Sequence, residues 1–136
     1  MEEENFRFEG NIYNPRQFKQ IRLGLKEGLD ISLYAKPEYT SSQMTQIRLG
    51  LIQGLDVSMY IDRHFTADQM EQIRKGLHRG LDVSIYANRK YTSFQMRQIR
   101  WGMQDGLDPS KFSDPKMSPQ EMRSICKNLK HNLEED

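Results

Sequence analysis

Cysteine occurs once in this chain of 136 residues, at Cys126, so an intrachain disulfide is excluded. That usage fits a reducing compartment, and a cytoplasmic setting is expected. Tryptophan also occurs once, at Trp101. No apolar run approaches the roughly 20 residues that a membrane-crossing helix needs. The acidic start, Met1-Glu2-Glu3-Glu4-Asn5, lacks the apolar stretch of a secretory signal. Net charge is close to absent, at +1, although residues 61–131 carry thirteen Lys/Arg against eight Asp/Glu. That mild bias falls short of the strongly basic footprint of a dedicated nucleic-acid binder. Glycine-rich phosphate loops, paired-carboxylate motifs and nucleophile elbows are missing. The three histidines, His64, His78 and His131, share no register and no metal-ligand spacing. No catalytic residue, metal site or cofactor is expected, and the chain does not read as an enzyme.

What is there is a period of 26 residues. Gln20-Ile21-Arg22-Leu23-Gly24-Leu25 returns as Gln46-Ile47-Arg48-Leu49-Gly50-Leu51 and as Gln72-Ile73-Arg74-Lys75-Gly76-Leu77. It returns again as Gln98-Ile99-Arg100-Trp101-Gly102-Met103, and in eroded form as Ser124-Ile125-Cys126-Lys127-Asn128-Leu129. A fixed period of this size marks units that bury their apolar faces against their neighbours.

Each unit carries its own start and stop signals. Asn14, Thr40, Thr66, Thr92 and Ser118 are placed as helix N-caps, with Gln17, Gln43, Gln69, Gln95 and Glu121 three residues on to complete a capping box. Gly28, Gly54, Gly80 and Gly106 stand where a helix C-cap needs the left-handed conformation; the fifth copy offers Asn132 instead. Helices of about 13 residues are expected. Asp30, Asp56, Asp82 and Asp108 then cap a second element of only one or two turns. The expected fold is therefore all-α: a solenoid of helical hairpins (long helix, glycine turn, short helix) with a terminal capping helix. Units span 13–38, 39–64, 65–90 and 91–116, the capping helix spans 117–133, and 134–136 form an acidic tail. Residues 1–12 read as an N-terminal extension or worn half-unit, with Phe8 at the register of Tyr34. In the first helix Phe18, Ile21 and Leu25 form the apolar stripe. The glycine inside each helix, Gly24 and its repeats, costs about 1 kcal/mol against alanine, which points to close approach of the neighbouring unit's backbone.

The motif Thr-x-x-Gln-Met-x-Gln-Ile-Arg-x-Gly-Leu-x-x-Gly-Leu-Asp-Val-Ser-x-Tyr resembles tandem 26-residue helical repeats in uncharacterised proteins of mobile elements in anaerobic Gram-positive bacteria. The resemblance covers residues 13–133 and departs from the pattern at Cys126 and Asn128. It implies an accessory protein of a plasmid, phage or conjugative element, with inhibition of a host defence complex as one special case.

Two ladders could carry chemistry. Arg22, Arg48, Arg74 and Arg100 could meet phosphates along a strand, or each could pair with an aspartate cap such as Asp30 or Asp56; arginine's fork suits the second. Tyr34, Tyr60 and Tyr86, with Phe112, could stack bases; core packing with the hydroxyl reaching water is the better fit, since phenylalanine substitutes. Positions that vary between units hold Leu23, Leu49, Ile52, Phe94 and Trp101 beside Lys75, His78, Arg79 and Arg97. An apolar group with a tryptophan and a basic rim reads as a protein-binding surface; packing beneath the short helices is an equal alternative. The favoured expectation is a non-catalytic scaffold that binds a protein partner through Leu23, Leu49, Ile52, Phe94 and Trp101. The alternative is a nucleic-acid-binding array using Arg48, Arg74, Arg97, Arg100 and Lys127. A monomer or weak homodimer is expected, without membrane association.

Overall fold

The computed structural model describes residues 4–135. The chain divides into two compact units, one ending at Met70 and one beginning at Glu71. Among the described residues the secondary structure is mostly helical, with a single two-stranded hairpin.

The first unit opens on that hairpin, where an extension or worn helical half-unit is expected. Strands β1 (Phe6–Phe8) and β2 (Asn11–Tyr13) pair antiparallel, with Phe6 opposite Tyr13 and Phe8 opposite Asn11. The two residues between them, Glu9 and Gly10, both have positive φ, at 46° and 82°. That is the twist of a type I′ turn, which closes a two-residue hairpin. Phe6 stacks on Phe18 with ring centroids 4.5 Å apart, so the hairpin lies against the first helix.

Helix α1 (Pro15–Lys26) starts at Asn14 and α2 (Ser41–Ile52) at Thr40, each with both bonds of its capping box formed. In the same unit Thr66 and Gln69 exchange the same pair of bonds at the start of α3 (Ala67–His78). Helix α1 ends at Glu27, and Gly28 follows at φ 74°. Gly28 N–H donates to the Leu25 carbonyl and Leu29 N–H to the Gly24 carbonyl, a Schellman closure. Each α-helix is followed by a single 3-10 turn, Ile31–Leu33 and Val57–Met59, started by an aspartate that accepts from the serine two residues on. Helices α1 and α2 pack directly on one another.

The second unit repeats the pattern: the 3-10 turn Val83–Ile85, α4 (Ser93–Gln104) capped by Thr92, the 3-10 turn Pro109–Lys111, and α5 (Pro119–Glu135), which packs on α4. Helix α5 runs through Asn132 rather than stopping there. Asparagine tolerates the left-handed conformation but does not impose it, and no Schellman partner follows.

The core repeats as regularly as the sequence. Ile21 and Ile47 in the first unit, and Ile73 and Ile99 in the second, are fully buried, as are Tyr34, Tyr60, Tyr86 and Phe112. The apolar stripe of α1 is narrower than expected, because Leu25 is 52% exposed. Its place against the core is taken by Gly24, over which the Tyr34 ring lies. A Cβ on Gly24 would collide with the Tyr34 hydroxyl and stand 2.7 Å from Ile31 Cγ2. Gly50 faces Tyr60 and Val57 in the same way, and Gly76 faces Tyr86 and Val83. The helical glycine is thus explained by a tyrosine of its own repeat, where a neighbouring unit's backbone is expected. The tyrosine hydroxyls do not reach water either. Tyr34 donates to the Gln20 carbonyl at 2.6 Å, Tyr60 to Gln46 and Tyr86 to Gln72, each at 2.7 Å.

Candidate interaction surface

Two rungs of the arginine ladder, Arg48 and Arg100, are built into the helix packing. In the first unit Arg48 Nε donates to Gln20 Oε1 at 2.9 Å, and its Nη1 donates to both Glu27 carboxylate oxygens at 2.8 and 3.1 Å. In the second unit Arg100 Nε donates to Gln72 Oε1 at 3.1 Å and its Nη1 to Gln104. The expected partners, Asp30 and Asp56, are engaged instead with Ser32 and Ser58 of their own turns. Arg100 is only 7% exposed, and that burial pulls its guanidinium below the ordinary arginine pKa. Arg74 is half-buried and also engaged, whereas Arg22 is exposed and lies 6.0 Å over the Phe18 ring. Arg48 and Arg100 are thus each turned toward the neighbouring helix of their own unit.

In three of the repeats the first glutamine does more than cap. Gln17 Nε2 donates to the carbonyls of Pro37 and Tyr39 at 3.1 and 2.7 Å. Gln43 does the same to Arg63 and Phe65, and Gln95 to Pro115 and Met117. One side chain therefore closes its own box and ties its helix start to the loop that leads into the next repeat.

The variable positions fall in both units. In the first, Leu23 and Leu49 are half-buried and Ile52 is exposed. In the second, α4 turns Phe94 (62% exposed) and Trp101 (46% exposed) outward, seven residues apart on one helix face. Arg97 lies between them, its Cζ 5.7 Å from the Phe94 centroid and 5.9 Å from the Trp101 ring. The Arg100 guanidinium stands 5.9 Å from the same indole. Such contacts hold an arginine's planar head against an aromatic face while leaving the strip open to solvent.

Beside Trp101 a cleft of about 540 Å³ opens between α4 and α5. It is lined from α4 by Gln98, Trp101 and Gly102, from the residue after α4 by Asp105, and from α5 by Arg123, Cys126, Lys127 and Lys130. The α5 residues are spaced three and four apart, so they share one helix face. Lys130 and Asp105 form a loose pair at 3.7 Å, which at that exposure is worth little. Burial pushes the Cys126 thiol up, away from a reactive thiolate. Lys127, the last of the five expected cationic site residues, lies in this cleft. Gln98, Asp105, Arg123 and Lys130 escape a reading of the variable positions. The signal that finds them is the break in the arginine register at Cys126.

No group of His, Cys, Asp and Glu residues placed to hold a metal occurs among the described residues, and none of their helices is long and apolar enough to cross a membrane. No protein-family model matches the chain, and no curated protein or solved structure matches it.

Proposed function

We propose that this chain is a non-catalytic helical-repeat scaffold, a solenoid of helical hairpins, that binds a protein partner through the outer face of α4. The observation that carries the reading is the exposure of Phe94 and Trp101 on either side of Arg97. Tryptophan and arginine dominate the energetic centres of protein interfaces, and aromatic residues are enriched there. Unit-to-unit variation at these positions, against only conservative exchange in the core, is what a recognition surface requires. The nucleic-acid alternative is weakened by the engagement of Arg48 and Arg100 with their neighbours. The resemblance of the repeat to those of mobile elements supports an accessory role there, with a host protein or a partner from the same element as the bound species.

The experiment is affinity capture from native lysate with wild type and Trp101→Ala as parallel baits, each washed at low and high salt. A protein retained by wild type through high salt and lost by Trp101→Ala is the expected result. Nucleic acid that elutes with salt equally from both baits would overturn the reading, because phosphate contacts carry a steep salt dependence and a buried tryptophan contact does not.

A further inference from the structure

The cleft beside Trp101 exists because one rung of the ladder is missing. Between α1 and α2 the space is crossed by Arg48, held by Gln20 and Glu27. Gln98 and Asp105 stand at the same registers, 78 residues on, but the arginine position of the fifth repeat is Cys126. Its thiol is too short to cross. Cys126 Sγ instead packs down on Gly102, where an added Cβ would stand 2.9 Å from it. The two acceptors of the missing rung are left lining an open space whose volume falls in the usual range for ligand sites, roughly 300–1,000 Å³.

We infer that this α4–α5 cleft binds an acidic peptide segment of the protein partner. The inference rests on the protein-binding reading and deepens it. Three cations, Arg123, Lys127 and Lys130, face the cleft from α5 against the single carboxylate of Asp105. Neither Arg123 nor Lys127 is paired with a carboxylate among the described residues. Charge complementarity therefore calls for a partner with one or two carboxylates placed over these two residues. The half-exposed indole of Trp101 and the Gly102–Cys126 floor accept an apolar side chain next to those carboxylates. Gln98 and Asp105 offer oxygen acceptors to peptide N–H groups. Asp105 also sets the class of polymer: its charge opposes a phosphate chain laid along the cleft, while it suits a backbone that donates hydrogen bonds.

The sole tryptophan reports directly on the site. The probe is a synthetic heptapeptide, Glu-Asp-Glu-Leu-Phe-Asp-Glu, titrated against Trp101 emission. Its counterpart with lysine at every acidic position and an oligothymidylate serve as the other arms. A saturable emission change with the acidic peptide alone is expected, and it should weaken at least tenfold in Lys127→Glu and in Cys126→Arg. Cys126→Arg should also melt at or above the wild-type temperature, because the new guanidinium regains Gln98 and Asp105. Undiminished or stronger peptide binding by a folded Cys126→Arg, no response to the acidic peptide, or preference for oligothymidylate would each overturn the inference. Should Cys126→Arg fail to fold, the rung argument fails with it, and Lys127→Glu still decides the binding site. A captured partner that is lost by Trp101→Ala and fully retained by Lys127→Glu would sink the cleft and leave the protein-binding reading standing.

Discussion

At the scale of single residues, the chain is organised by a glycine and a tyrosine ten positions apart. Gly50 and Tyr60 show the logic. The absence of a Cβ lets the phenol lie against the helix and donate to the Gln46 carbonyl at 2.7 Å. Alanine in place of a helical glycine ordinarily stabilises by up to about 1 kcal/mol. Gly50→Ala should do the reverse, destabilising by about 2 kcal/mol or more, since overpacking is added to a displaced buried hydroxyl. Urea unfolding checks the sign, and a neutral or stabilising effect would contradict the contact. The recurrence of the glycine is plain in the sequence, but its cause is not. Which body presses on Gly24 depends on where the 3-10 turn carries Tyr34, and a three-residue turn leaves no periodic trace to place it. The same gap explains why the tyrosine hydroxyls point to carbonyls where water is expected.

At the scale of elements, helix starts were legible because capping is local: five N-cap positions follow from residue type and spacing alone, and their backbone bonds form at each. The reach of the glutamine beyond its own helix was not legible, because Pro37 and Tyr39 lie 20 and 22 residues from Gln17. The two roles of Gln43 can be separated. Gln43→Glu keeps an acceptor for Thr40 N–H but sets a carboxylate against the carbonyls of Arg63 and Phe65. It should cost more than Thr40→Ala, whose loss is about 1 kcal/mol for a helix cap; thermal melts of the two variants give the order. The chain makes this exchange itself at Glu121, in the last repeat. The recurrence of the arginine is plain in the sequence, but the partners of Arg48 and Arg100 are not: Gln20 with Glu27, and Gln72 with Gln104, hold them, while Asp30 and Asp56 accept from the serine two residues on. Helix α5 passed its expected stop because asparagine at Asn132 lacks glycine's preference for the left-handed turn.

At the scale of the whole molecule, all six tyrosines are buried, and this sets an alkaline limit. Burial raises the Tyr34 phenol to about 12 and raises Tyr13, Tyr39, Tyr86 and Tyr91 as well. A folded pKa above the unfolded value of about 10 means that the contribution is complete below pH 10 and lost as pH rises toward 12. Helical circular dichroism and tyrosinate absorbance should therefore change together in one step above pH 10. Gradual ionisation near pH 10 with the helices intact would contradict the buried pillars. The mostly helical architecture was legible because one pattern is written five times. The surface was only half legible: variation marked Phe94 and Trp101, whereas the cleft follows from a residue that is missing from a register. The most direct measurement of the central claim is the affinity of the captured partner for wild type and for Trp101→Ala, by titration calorimetry. A loss of about 2 kcal/mol, roughly thirtyfold, with unchanged melting temperature is the predicted result for an interface anchor. Equal affinities for the two proteins would contradict the assignment of α4 as the docking face.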